Sequence, residues 1–302
     1  MIFVTGGGGN LATELKKYCG NNQNIRFLMK KEFNILSPEK IQQFCGKNQV
    51  DRIFHFAGYT DVKKANTNKN SEKACFNINV EGTRNIVNLC KKRKIPLLYV
   101  SSYYVYENQG PPSDESISFP PTTPYALSKY EAENIIQKEL EVYTILRLGS
   151  LFGGDLDEKF INKIVDKYKT TDEKIYVDNE KQFQPCYTPN IVEMIYKLFV
   201  TSNIGNGLFN FGNTGLTTRY EFVKKIFEYA GFDITRLEPV KSKYFEKESY
   251  IKNYGMEMRR LKSMGIFMVD IDYVAKLYAN TIKIVPPESL EPKETPIDLI
   301  QP

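Results

Sequence analysis

A short apolar run, Ile2 to Val4, leads straight into Thr5-Gly6-Gly7-Gly8-Gly9-Asn10-Leu11-Ala12, and an amphipathic segment follows at once. Few folds place four glycines between a strand and a helix, because backbone this free costs entropy to order unless a tight turn or a close approach requires it. Here Gly6 permits the turn, Gly9 lets the backbone come near a pyrophosphate, and small Ala12 lets the following helix pack closely. The helix N-terminus contributes partial positive charge at the same place. The loop therefore predicts the first βαβ unit of an α/β protein that binds a dinucleotide.

The first half repeats that rhythm. Ile25 to Met29, Arg52 to Phe56, Leu97 to Ser101 and Tyr143 to Leu148 read as parallel strands covered on both faces. Helical segments lie between them, one opening at Ser37-Pro38-Glu39, where Ser suits the N-cap and Pro the first turn. After Gly149 the rhythm loosens into a helix near Glu158 to Lys169, a strand near Ile175 to Asp178 and a turn-rich stretch from Gln182 to Pro189. Leu208 to Phe211 reads as a strand that rejoins the first sheet, and Thr218-Arg219-Tyr220-Glu221 as a capping box. The expected architecture is α/β: a doubly wound parallel sheet of Rossmann type over 1–150, with a returning segment near 189–213. A smaller α/β substrate domain over 151–188 and 214–302 is interleaved with it. Ile284 to Pro302, rich in proline and acids, is expected to form an extended tail.

Composition narrows the chemistry. Hydrophobic residues at 41% and charged residues at 25% describe a chain that folds throughout. No apolar stretch approaches the roughly 18 residues a membrane span needs. The five cysteines are scattered, with no C-x-x-C spacing, and read as reduced thiols of a cytoplasmic protein. His55 is the one histidine, so a His-based metal site or a Ser/His/Asp triad lacks material, no metal is expected, and an imidazole in Ile53-Phe54-His55-Phe56 reads as a neutral core group. The net charge of +5 comes from lysines interleaved with acids, which suits a small anionic ligand and not nucleic acid.

Two further patterns bear on the reaction. Where an acid would hold the ribose hydroxyls of NAD at the end of the second strand, this chain has Met29-Lys30-Lys31, whose ammonium groups suit the extra phosphate of NADPH, with NADH the alternative. Tyr125 and Lys129, at i and i+4, share one face of a helix, and Ser101-Ser102 closes an earlier strand. In that order they suit a ketone reduction: Lys129 lowers the Tyr125 phenol pKa and contacts the cofactor ribose, Tyr125 supplies the proton, and Ser102 orients the substrate oxygen.

Together these residues resemble the extended short-chain dehydrogenases, and within them the dTDP-4-dehydrorhamnose reductase group, over nearly the whole chain. Gly6-x-x-Gly9-Asn10-Leu11-Ala12 is similar to that group's G-x-x-G-Q-L-G, Ala57-Gly58-Tyr59-Thr60-Asp61-Val62 to its A-A-Y-T-x-V, and Ser101-Ser102-Tyr103-Tyr104-Val105-Tyr106 to its S-T-D-Y-V-F. The resemblance implies that Gly6, Gly9, Asn10, Leu11, Lys30, Asn34, Ile35, Ala57, Gly58, Tyr59, Asn79 and Lys129 line the cofactor. It implies that Thr60, Val62, Ser102, Tyr103, Tyr125 and Leu151 face a nucleotide-linked 4-keto-6-deoxy sugar. Leu151 stands where the group has tryptophan, and Tyr250 to Met256 lacks the Arg-Pro of the corresponding segment, so a sugar other than the usual rhamnose precursor is expected. Glu14 occupies a position that helps bind magnesium at a dimer contact in some relatives; in this sequence it reads as a surface glutamate, with a homodimer left open. Tyr103 and Tyr104 replace the acid and base a 4,6-dehydratase needs. Two other readings stay open: an epimerase that retains NAD, and a nucleotide-binding regulatory subunit without catalysis.

Overall fold

A computed structural model describes residues 1–107, 113–116, 120–155, 160–202, 205–244 and 255–283. Its strands are β1 (Ile2–Thr5), β2 (Ile25–Leu28), β3 (Arg52–His55), β4 (Leu97–Ser102), β5 (Tyr143–Leu148), β6 (Ser150–Phe152), β7 (Ile175–Asp178), β8 (Gln182–Phe183), β9 (Pro185–Tyr187), β10 (Gly207–Phe211), β11 (Thr217–Thr218) and β12 (Leu237–Val240). Its helices are α1 (Asn10–Cys19), α2 (Pro38–Gly46), α3 (Val62–Thr67), α4 (Lys69–Phe76), α5 (Gly82–Arg93), α6 (Pro124–Glu139), α7 (Phe160–Thr170), α8 (Thr188–Ile195), α9 (Arg219–Ala230), α10 (Arg259–Ser263) and α11 (Ile271–Ile282).

Six strands form one parallel sheet in the order β10-β5-β4-β3-β1-β2. Successive strand residues face opposite sides, and the core divides accordingly. Val4, Phe54, Leu98 and Leu146 belong to one buried cluster, and Phe3, Ile53, Leu97 and Ile145 to the other. The first layer is closed by α1 and, much later in the chain, by α8; the second by α2, α5 and α6. β10 is the late arrival in the sheet. It pairs with β5 from Gly207↔Thr144 to Phe211↔Leu148, and its fully buried Phe209 and Phe211 are each worth about 1.5–3 kcal/mol of burial.

A third cluster gathers Phe152, Ile164, Val177, Phe222, Phe227, Val274 and Tyr278 from β6, α7, β7, α9 and α11. The stretch from Gln182 to Pro189, expected as turns, instead supplies β8, β9 and the start of α8. Partners distant in the chain satisfy its backbone: β9 pairs with β6 and β8 with β11, and Pro185 is tolerated because it opens its strand. The helix expected from Glu158 is described from Phe160 onward, residues 156–159 and the expected tail 284–302 lying outside the described residues. Among the described residues no helix is long and apolar enough to cross a membrane.

Candidate active site

The carboxyl ends of β1, β3 and β4 bring the motifs together, the edge at which open α/β sheets bind their ligands. After β1, Gly6 takes φ +71°, and a Cβ there would lie 2.7 Å from the backbone N of Ala57. Any other residue would be both strained and in collision. Ala57 N donates to Thr5 Oγ1 at 3.2 Å, tying the ends of β1 and β3. Gly9 is the N-cap of α1; it brings no side chain to the helix start, and no acid occupies the first turn. Asn10 donates to Gly153 O at 3.3 Å, while its Oδ1 is buried without a hydrogen-bond partner. Lys30 and Lys31 are exposed just beyond β2.

Leu11 and Ile35 are core side chains, 7% and 6% exposed, so only their backbone is available to a cofactor. Asn34 Oδ1 accepts from Leu36 N at 3.1 Å. Asn79 sits on a π-helical turn, Asn77–Glu81, that joins α4 to α5. Its Oδ1 accepts from Tyr59 N at 2.7 Å and its Nδ2 donates to Ser128 Oγ at 2.9 Å, which joins the Gly58-Tyr59 segment to α6. A Cβ on Gly58 would stand 3.9 Å from Lys129 Nζ, so the two segments meet.

On α6, Tyr125 N donates to Asn66 Oδ1 at 3.0 Å, fixing the start of the helix. Tyr125 and Lys129 are both buried, at 7% and 6% exposed. Lys129 Nζ donates to Val100 O at 2.7 Å and lies 4.3 Å from the centre of the Tyr99 ring. Burial lowers its pKa to about 8, opposed by the charge of Glu133. Burial likewise pushes the Tyr125 phenol above its usual value, with Tyr104 adding to the rise and the Ser102 hydroxyl opposing it. Without cofactor, desolvation dominates at the phenol, and the Lys129 ammonium is hydrogen-bonded to β4.

The sequence-predicted substrate residues divide. Ser102 closes β4 beside Tyr125, and Tyr104 stands edge-on to the Tyr125 ring at 5.6 Å. Val62 packs in the same cluster as Tyr125, and Thr60 is exposed. Tyr103 is 3% exposed and buried with Val105, Tyr106 and Met256, away from an open surface. Leu151, on β6, is half-buried against the sheet-side cluster. Of the segment Tyr250 to Met256, residues 250–254 lie outside the described residues. Glu14 is a correction: it is 4% exposed, and its Oε1 accepts from Asp155 N at 2.9 Å. The loop that buries it belongs to residues far along the chain.

A pocket of 430 Å³ opens among Phe160, Lys163, Lys167, Tyr176, Asp178, Arg219 and Tyr244. Arg219 stacks over Phe160 at 4.9 Å and acts electrostatically on Tyr103, whose ring is 5.2 Å from that of Tyr104. Aromatic rings and cations thus run from the pocket to Tyr125. Sequence reasoning missed these residues because they come from four separate segments; Arg219 in the capping box at α9 was the one signal available.

The family model described as RmlD substrate binding domain matches residues 1–269. The spore coat polysaccharide biosynthesis protein SpsK of Bacillus subtilis is 26% identical over 88% of this chain and 92% of its own length. The dTDP-4-dehydrorhamnose reductase of Mycobacterium tuberculosis is 21% identical over 84% of this chain and 83% of its own. Among solved structures, dTDP-4-dehydrorhamnose reductase from Bacillus anthracis in complex with NADP superposes with a TM-score of 0.84 at 26% identity, covering 93% of this chain and 98% of that one.

Proposed function

This chain belongs to the RmlD substrate binding domain family, and from that premise we propose that it uses NADPH to reduce the 4-keto group of a nucleotide-linked 4-keto-6-deoxy sugar. One observation carries the reading: Ser102, Tyr125 and Lys129 converge at the same carboxyl edge of the sheet as the glycine loop. A dinucleotide fits what is there. Backbone crowds any side chain at Gly6 and Gly7, Asn10 offers a buried polar atom without a partner, and Lys30 and Lys31 stand exposed for a ribose phosphate.

The bound cofactor would supply the hydride. The chain's own residues do the rest. Ser102 Oγ holds the substrate carbonyl oxygen beside Tyr125 Oη, and Tyr125 gives that oxygen its proton as negative charge develops there. A phenol held above its usual pKa by burial stays protonated and ready to donate across neutral pH. Lys129 holds the ribose and supplies positive charge under the phenol in the assembled complex. The aromatic and cationic pocket around Arg219 takes the nucleoside diphosphate: Phe160, Tyr176 and Tyr244 suit a base, and Lys163, Lys167 and Arg219 suit phosphates. In this reading residues 1–150 with the returning segment near 189–213 form the cofactor unit, and the remaining described residues the substrate unit. Five free thiols, four of them buried, fit a reducing cytoplasm.

The test is direct. Purified chain given NADPH and a dTDP-4-keto-6-deoxy-hexose should oxidise the cofactor with formation of the 4-hydroxy sugar. NADPH that stays reduced across dTDP-, UDP-, GDP- and CDP-linked keto sugars would refute the proposal.

A further inference from the structure

Glu133 and Arg147 form an ion pair in which both side chains are almost wholly out of water, 1% and 2% exposed. Such pairs contribute little net stability, because stripping two ions of water costs about what their attraction returns. What they hold in place is more informative. Arg147 Nε lies 3.1 and 3.2 Å from the two Glu133 oxygens, and one of its terminal nitrogens 2.6 Å from Oε2. Its other terminal nitrogen donates to Tyr106 OH at 2.8 Å, and that phenol donates to Asn210 Oδ1 on β10 at 2.6 Å. Ser101 Oγ donates to Glu133 Oε1.

Ser101 faces Arg147 across the β4–β5 pairing and directly precedes Ser102. Glu133 lies one helical turn beyond Lys129, whose Nζ is bonded to Val100 O. α6 is therefore fastened to β4 at two consecutive strand residues, through Lys129 and through Glu133. Among the described residues, the surroundings of Lys129 are otherwise without negative charge. They comprise neutral His55 from β3, the Tyr99 phenol from β4, the Cys75 thiol from α4 and Tyr125 on its own helix, while Arg147 on β5 faces Glu133. Among the described residues, Glu133 is the carboxylate that supports its charge.

We propose that Glu133, locked by Arg147 and Ser101, is a positioning residue that keeps Lys129 protonated and holds α6 in register with Ser102. The inference rests on the reductase reading only for the use made of Lys129.

The experiment follows lysine Cε signals by NMR through a pH titration of the chain without cofactor, Lys129 being assigned by Lys129→Met. Wild type should show a midpoint near 8. Glu133→Gln should lower it by about one to two units, the scale of one charge a helical turn away, roughly 5–6 Å for such neighbours, in an effective dielectric of about 20. Glu133→Asp, which keeps the charge, should leave it near wild type. If the single variant does not fold, the double variant Glu133→Gln/Arg147→Met is compared with Arg147→Met, which shares the loss of the guanidinium, and should titrate lower than it by a similar amount. A Gln variant whose midpoint is not below that of its reference, or an equal shift in Glu133→Asp, overturns the inference. NADPH titration by fluorescence runs in parallel: wild type that fails to bind NADPH while Glu133→Gln still shifts Lys129 refutes the reductase reading and leaves this inference standing.

Discussion

The core around the sheet and the core between α7, α9 and α11 are built from different materials. Among the described residues every buried basic side chain, His55, Lys129 and Arg147, lies in the first, together with Thr5, Asn79, Thr83 and Glu133. The second is aromatic: Phe152 meets Tyr187, Phe222 and Tyr278 edge-on or tilted, and Tyr168 stacks on Phe232 at 4.5 Å. Buried polar groups tolerate few arrangements, since an unmatched one is costly, so the first core fixes positions to the accuracy that proton transfer requires. Aromatic packing is less exacting about direction and serves as a firm wall for a pocket. Chemistry should therefore fail when the first core is touched, and binding of the nucleotide when the second is.

The largest effect expected from that division is at Tyr125. Tyr125→Phe removes the proton donor and should slow hydride transfer by about 10²- to 10⁴-fold with NADPH affinity nearly unchanged. Stopped-flow oxidation beside a fluorescence titration reads both quantities. Near-native transfer would mean that the polar core does not house the donor.

Acid should distinguish the cores next. His55 is fully buried between Thr5 Oγ1 at 2.7 Å and Thr83 Oγ1 at 3.1 Å, and burial lowers its pKa from 6.5 to about 3. A depressed folded-state pKa means that stability is complete above pH 6.5 and is lost as pH falls toward 3. The loss between pH 7 and 4.5 should be about 2–3 kcal/mol. The stability of wild type relative to His55→Asn, from urea melts, should shrink over that range. A constant difference would show that the imidazole does not resist protonation.

A smaller effect is expected on the aromatic side. Arg219→Ala should weaken binding of dTDP by about 10- to 100-fold, the worth of a charged hydrogen bond, and leave NADPH binding unchanged. Calorimetry with each ligand measures this, and equal losses for both would erase the distinction between the two halves. Smallest is Lys30→Asp at the rim of the first region. It should weaken NADPH by about tenfold more than NADH, the scale of one exposed phosphate contact; equal weakening would remove Lys30 from the phosphate site.

What could be read in the sequence follows the same line. The glycine loop and the Tyr125/Lys129 pair are local, their geometry set by a turn or by one helical repeat, and the strand rhythm of residues 1–148 is periodic. Glu14 was unreadable because the group that buries it, Asp155 N, lies far along the chain. The Glu133–Arg147 pair, the pocket around Arg219 and the inward burial of Tyr103 likewise depend on segments that only the tertiary fold makes neighbours. The burial that raises the Tyr125 pKa in the chain without cofactor was out of reach for a related reason: a spacing of four residues says where Lys129 stands, while the groups packed around the phenol come from other elements.

The late position of β10 has a consequence for how the protein is made. Until residues 188–211 leave the ribosome, β5 has an unpaired edge and the face of the sheet that α8 covers stays bare. At about 5–20 residues per second, the wait between completing β5 and completing β10 lasts several seconds. An exposed parallel edge beside open apolar surface is a template for mispairing with other nascent chains. The half that carries the glycine loop is thus first to be synthesised and among the last to be finished, so a chain cut after residue 150 should need a chaperone to stay in solution.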